Sequence, residues 1–93
     1  MKKLLIFLQF LFFISSNADE LCKKAGNYSI YCYKQRESGK ITSCEEAVKL
    51  INLKNPKLQK WAKKSCQYGC LSETLHEANQ MADLIIKDCE KER

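Results

Sequence analysis

Six cysteines in so short a chain, Cys22, Cys32, Cys44, Cys66, Cys70 and Cys89, restrict its fold more than any other feature. A domain of this size buries too small a fraction of its surface for its core alone to hold it comfortably. An even cysteine count then reads as a framework of three disulfides, provided that the chain enters an oxidising compartment. The compartment therefore decides what the sulfurs are for.

The first residues speak to that. The stretch MKKLLIFLQFLFFISSNADE opens on Lys2 and Lys3, continues in an apolar run from Leu4 to Ile14, and closes on small polar residues. This is the three-part layout of a secretory signal, with Ser16 and Ala18 at the small-residue positions before a cut. The apolar run is too short for a transmembrane helix, which needs about 20 residues. The expected organisation is a signal peptide over 1–18 and a single six-cysteine helical domain over 19–93, secreted and extracellular.

That context sorts the readings of WAKKSCQYGC, residues 61–70. Cys66, Cys70 and His76 could be drawn as three zinc ligands, but in an oxidising compartment the thiols are bridged first. A redox motif would separate its cysteines by two residues, and here there are three. A cysteine nucleophile needs a free thiolate and a positioned base, and the chain has one histidine. A structural staple is the reading that stands.

Helical periodicity dominates the rest. LCKKAGNYSIYCYKQ places Leu21, Cys22, Ala25, Ser29, Cys32 and Tyr33 on one stripe. Its centre, YSIYCY, also alternates like a strand, but no second strand is legible to pair with it, so a helix is expected, with Gly26 as the point of any kink. In TSCEEAVKLINLK, Thr42 with Glu45 or Ser43 with Glu46 can form a capping box. Asn55 and Pro56 break that helix and start a third, with proline at its first position. Leu58, Ala62, Ser65, Cys66 and Gly69 form the inner stripe of the third helix. A last helix from near Ser72 carries Leu75, Ala78, Ala82, Ile85 and Cys89. The two stripes are out of phase, which predicts a break near Gly69–Ser72. The expected fold class is all-α, a small disulfide-stapled bundle of three to four helices.

Distances narrow the cysteine pairings. Cys66 and Cys70 on one helix have Cβ atoms ~5–6 Å apart, beyond the ~3.8 Å that a bridge requires. Cys22 and Cys32 lie ~15 Å apart along a straight helix, and Cys89 ~25 Å from the start of its own. The expected pattern is Cys22–Cys89 at the outer end, with Cys32 and Cys44 tied to Cys66 and Cys70 in an order left open.

Charge points to a surface. Lys and Arg number 16 against 11 Asp and Glu, and removal of Lys2 and Lys3 with the leader leaves a net +3. Residues 23–64 hold eleven basic and three acidic groups, whereas residues 65–93 hold three and six. Such a split suits a chain that meets anionic surfaces through one side. The densest patch is KLQKWAKK, where Lys57, Lys60, Lys63 and Lys64 fan over an outward helix face. Trp61 and Tyr68, seven apart, sit at the border between lysines and core. An ammonium beside a ring is what a cation-channel blocker presents, and also what a helix on an anionic membrane surface presents. The plainer alternative is a solvated lysine face whose stems cover a half-buried tryptophan. The expected target-binding group is Lys57, Lys60, Trp61 and Lys64.

Other features say less. His76 falls on the polar face of the last helix with Asp83 and Lys87, and Leu84 there is one of the scattered apolar residues that every surface carries. Asn27 opens the glycosylation sequon NYS. No catalytic serine–histidine–acid arrangement, paired carboxylates or phosphate-binding glycine loop is legible, so no enzyme activity and no cofactor are expected. Secretion and the modest charge argue against nucleic acid as a partner. A monomer is expected.

The leader, the six cysteines, the helical periodicity, the C-x3-C pair at Cys66 and Cys70 and the basic face together resemble the cysteine-rich toxins of arthropod venoms. The likeness is to the centipede scoloptoxins and to the helical toxins derived from arthropod neuropeptide hormones. The latter also carry C-x3-C at the fourth and fifth cysteines, although their second and third lie closer together than Cys32 and Cys44. Locally, NPKLQKWAKKSCQYGC looks like part of the sea-anemone potassium-channel toxin domain, whose last cysteine follows more closely than Cys89 does. The resemblance implies an ion-channel or receptor modulator that acts by binding, its partner a membrane protein of another cell. Two other classes fit the same residues. One is a hormone- or pheromone-like signal, separable by source tissue. The other is a membrane-active or lipid-binding helical protein, separable by dye release from anionic vesicles.

Overall fold

A computed structural model describes the backbone from residue 2 to residue 92 and the side chains from residue 20 to residue 92. The leader expected over 1–18 lies outside the residues with described side chains. The described chain is all-α: α1 (Lys2–Glu37), α2 (Cys44–Lys49), α3 (Pro56–Leu71) and α4 (Leu75–Lys91). Three disulfides staple the helices into a small bundle: Cys22–Cys89, Cys32–Cys66 and Cys44–Cys70. The outer bridge is the expected one, and Cys32 and Cys44 take Cys66 and Cys70 in that order.

Local chemistry explains the boundaries. YSIYCY is helical, and Cys22, Ala25, Ser29 and Cys32 are buried at the three- and four-residue spacing of one helix face. Helix α1 runs through Gly26 without a break. The glycine serves close packing instead, since a Cβ there would sit 2.5 Å from Ile86 Cγ1 and 3.0 Å from the Ala82 carbonyl oxygen. Before α2, the Ser43 side chain accepts from Glu46 N at 3.1 Å, and Thr42 Oγ1 donates to Glu46 Oε2 at 2.6 Å. The Ser43 cap is thus the one used, with Glu46 engaged by Thr42.

Helix α2 stops at Lys49, well short of the apolar pattern that continues to Leu53. The reason is tertiary. Gln59 on α3 donates from Nε2 to the Ile51 carbonyl at 2.9 Å and accepts from Leu53 N at 2.7 Å. This clamp holds residues 51–53 outside any regular element, with Ile51 buried in the core. Asn55 then caps α3, its Oδ1 accepting from Lys57 N and Leu58 N, with Pro56 at the first position. The expected break falls after Leu71. Thr74 caps α4 by accepting from Glu77 N at 3.1 Å, so α4 begins at Leu75, later than the periodicity implied. Leu75 itself is 44% exposed, and the buried stripe starts at Ala78.

Contacts give the helix directions. Gly26 meets Ser65 and Arg36 meets Cys70, so α1 and α3 run the same way. Cys22 meets Cys89 and Ser29 meets Ala78, so α4 runs against both. Helix α2 and the clamped segment after it carry the chain back to the start of α3, and Cys44–Cys70 ties α2 to the α3 C-terminus.

The centre of the bundle is built from small residues: Ala25, Gly26 and Ser29 on α1, Ala62, Ser65 and Gly69 on α3, Ala78 and Ala82 on α4. A Cβ placed on Gly69 would fall deep inside the van der Waals radius of the Ser29 carbonyl, so α1 and α3 touch backbone to backbone there. Two buried hydroxyls bridge helices at this level. Ser29 Oγ donates to the Ala78 carbonyl at 2.7 Å, and Ser65 Oγ to the Gly26 carbonyl at 2.9 Å. Burial without such partners would cost each hydroxyl about 1–3 kcal/mol. Larger apolar side chains gather at two ends. One cluster holds Ile41, Ala47 and Ile51 around Cys32, Cys66 and Cys70, and the other holds Trp61 and Ile85 around Cys22 and Cys89.

Candidate functional site

The basic patch is carried by the first three turns of α3. Lys57, Lys60 and Lys64 follow one another at helical spacings of three and four, with Tyr68 four residues further on, so the four form one stripe. Lys60 and Lys64 are exposed, Lys57 and Lys63 half-buried. The stripe can face outward because α3 turns its other sides to α1, α2 and α4.

Trp61 is placed differently from the border position that periodicity gave it. It is 5% exposed and packs with Ala25, Ile85 and the Cys22–Cys89 bridge. Enclosure of α3 by three helices widens its buried arc to two adjacent rows, Trp61, Ser65 and Gly69 beside Ala62, Cys66 and Cys70. A single stripe read from sequence misses the second row. The indole therefore forms the floor of the patch. Lys60 Nζ lies 5.3 Å from its ring centroid and Lys64 Nζ 5.1 Å, one ammonium from each direction along the helix. Both are within cation–π range, each contact stabilising by about 0.5–1 kcal/mol at an exposed position. The ring with solvent access on this stripe is Tyr68, 43% exposed.

The far end of the chain reaches the same patch. Glu92, at the C-cap of α4, holds Lys60 Nζ at 3.0 Å from both carboxylate oxygens. Both side chains are substantially exposed, at 58% and 41%, so the pair adds little to stability. Its effect is to set a carboxylate beside the Lys60 ammonium. A separation of 32 residues leaves no local signal from which this partnership could be read.

Arg36 is a second contributor that periodicity does not reveal. Its guanidinium reaches from the end of α1 to the end of α3, donating to the Cys70 carbonyl and, at 2.7 Å, to the Ser72 carbonyl. It also pairs with Glu37 at 3.2 Å and lies over the Tyr33 ring at 5.7 Å. These carbonyls carry the negative end of the α3 dipole, so a cation is well placed there.

The remaining sequence candidates are dispersed. His76, Asp83 and Lys87 are exposed on α4, and Leu84 is 52% exposed. Cys66 and Cys70 are bonded to Cys32 and Cys44, so their sulfurs are not thiolates available to His76 or to a metal. Among the described residues no cluster of His, Cys, Asp and Glu is arranged to hold a metal ion. None of the described helices is long and apolar enough to cross a membrane. Asn27 is exposed in mid-helix, while Ser29, the third residue of its sequon, is buried and commits its hydroxyl to α4.

Comparison with protein-family models, with curated proteins and with solved structures finds no match. The geometry is that of a disulfide-linked helix presenting two ammonium groups over one buried ring.

Proposed function

We propose that this is a secreted, toxin-like protein that modulates an ion channel or receptor of another cell by binding it through the basic face of α3. The observation that supports this most is the preorganised pair Lys60 and Lys64, each held about 5 Å from the centroid of a buried indole. A lysine normally loses considerable rotamer freedom when it docks. Here the ring, the Glu92 carboxylate and a disulfide-locked helix have already restricted it, which lowers the cost of association.

The division of labour follows from exposure. Positive charge steers the protein to an acidic vestibule or headgroup-rich rim and raises the association rate. Lys57 and Lys64 extend the charge along the stripe. Trp61 positions the ammonium groups from beneath, and Tyr68 supplies the exposed ring for contact. No covalent step is involved.

Current recordings on a panel of cation channels, with binding of labelled protein to excitable-cell membranes, test the proposal. The double change Lys60→Gln and Lys64→Gln should reduce block or binding at least tenfold, with far-UV circular dichroism unchanged and stability lowered by no more than the about 1–2 kcal/mol of the two lost ring contacts. Wild-type association should also slow as ionic strength rises through the range where the Debye length falls below ~10 Å. Full potency of the double variant would refute this surface.

A further inference from the structure

A second site lies on the opposite side of α1 from α4, and it differs in character from the lysine face. Between α1, α2 and the clamped segment after α2 runs a groove of about 510 Å³. Its floor is the apolar cluster of Ile41, Ala47 and Ile51, and its rim carries Tyr31 and Leu50. That volume is within the range of small-molecule sites, roughly 300–1,000 Å³.

Three observations indicate that the groove is built to stay open. Tyr31 and Leu50 are 55% and 69% exposed on its edges, two of the largest apolar surfaces that the chain leaves in water. Closing the walls would bury them, and burial of each such side chain is favourable by about 1.5–3 kcal/mol. The walls cannot close because both are fixed. Cys44–Cys70 anchors the start of α2, and the two hydrogen bonds of Gln59 hold residues 51–53 on α3. Tyr28 is braced edge-on against Tyr31, ring centroids 6.0 Å apart at 78°, which keeps the aromatic wall upright.

The lining also defines the occupant. None of the residues around the groove is charged, in a chain where charged residues make up 29%. A carboxylate, phosphate or ammonium would find no counter-ion there and would lose hydration without replacement. The polar groups present are side-chain amides, Asn27, Gln35 and Asn52, which donate and accept without charge. We infer that this groove is a binding site for a small neutral ring-bearing molecule, its rings against Tyr28 and Tyr31 and its polar atoms on the amides. The site is independent of the α3 lysine face and of the function proposed for it.

Two probes of nearly identical shape separate charge from hydrophobicity: neutral N-phenyl-1-naphthylamine and its anionic relative 1-anilinonaphthalene-8-sulfonate. The oxidised protein should enhance the neutral probe's fluorescence saturably at one site, with Kd on the order of 100 µM or tighter. The sulfonated probe should bind at least tenfold more weakly. Leu50→Glu and Tyr31→Ala alter exposed positions and should each weaken the neutral probe fivefold or more while far-UV circular dichroism and bridge pairing stay native, Tyr31→Ala losing only the about 0.5–1.5 kcal/mol of its ring pair with Tyr28. The Lys60→Gln, Lys64→Gln double variant should leave it unchanged. Absence of saturation, equal or tighter binding of the sulfonate, or insensitivity to both groove variants would overturn the assignment.

Discussion

Gly69→Ala isolates the contact on which the bundle turns. Two effects of opposite sign meet at this position. Alanine in a helix interior is favoured over glycine by about 1 kcal/mol, so on local grounds the change should stabilise α3. Against this, the new methyl would fall on the Ser29 carbonyl, a backbone atom with no rotamer to change. Relief requires α1 and α3 to move apart by roughly 1 Å or more. Overpacking of this kind costs about 1–3 kcal/mol, occasionally more. The same movement stretches the buried Ser65 Oγ bond to the Gly26 carbonyl, now 2.9 Å, and an orphaned hydroxyl adds about 1–3 kcal/mol. The steric and polar terms exceed the propensity gain, leaving a net destabilisation of about 1–5 kcal/mol. For a domain this small, each kcal/mol lowers Tm by ~4–8 °C, so the loss should be on the order of 4–40 °C. Gly26→Ala is the internal control. It offers the same propensity gain, and its Cβ meets Ile86 Cγ1 and Cδ1 at 2.5 and 2.8 Å, a side chain that can swing aside, and the Ala82 carbonyl oxygen at 3.0 Å, a tight contact but not an overlap. Its cost should be smaller than that of Gly69→Ala by at least about 1 kcal/mol. Thermal melts of the two oxidised variants, with bridge mapping to confirm unchanged pairing, decide the matter. If Gly69→Ala melts at or above the wild-type temperature, backbone contact between α1 and α3 is refuted.

Further predictions concern single interactions. Arg36→Ala removes a charged donor from two carbonyls at the end of α3 and should cost about 1.5–3 kcal/mol in denaturant titrations; Arg36→Lys should recover less than half, because one ammonium cannot reproduce the planar fork. Trp61 Nε1 is buried with no hydrogen-bond partner, so Trp61→Phe removes an orphan donor as well as volume. It should therefore destabilise by distinctly less than the ~3–5 kcal/mol expected of Trp61→Ala, and equal losses in thermal melts would contradict that account. The bridges close segments of 67, 34 and 26 residues, for which chain entropy gives about 4.4, 3.8 and 3.5 kcal/mol. Paired Cys→Ala variants measured separately should fall in that order, with Cys22–Cys89 the most costly to lose. Gln59→Ala frees residues 51–53 and should raise amide exchange there and in α2 while leaving the α4 amides protected.

What could be read in the sequence was whatever is periodic or local. The helix of α1, the Ser43 and Asn55 caps, the proline start of α3 and the break after it all follow from side chains within four residues of one another. The outer bridge was legible in part, since helix rise separates Cys22 from Cys32 and Cys89 from the start of α4 and so favours pairing the two outer cysteines. The partners of Cys66 and Cys70 were not, because both lie on the buried side of α3 and only the path of α2 decides between them. Trp61 was misplaced for a related reason: the width of a buried arc depends on how many neighbours a helix has. Arg36, Gln59 and Glu92 act on residues 34, 8 and 32 positions away, at the ends of elements where periodicity carries no information.

The dependence on disulfides follows from the same geometry. Helices that approach at Gly26, Ser29, Ser65 and Gly69 gain contact but bury few methyl groups, and each buried CH₂ stabilises by only about 0.8 kcal/mol. Of the described side chains sealed completely from solvent, Ile85 is the one large aliphatic; the others are cysteines, serines and alanines. An interior of this kind specifies which backbone surfaces touch without supplying the stability that larger side chains would provide. The cross-links meet that deficit by restricting the unfolded chain, one at each end of α1's buried stripe and one on α2. A bundle stabilised in this way can leave its outer residues free of structural duty. That is why four lysines can crowd the exposed side of α3, and why Tyr31 and Leu50 can remain in water beside an open groove. Reduction should therefore abolish both surfaces together, and a reduced chain that kept native near-UV dichroism would show that packing, not cross-linking, holds this interior in place.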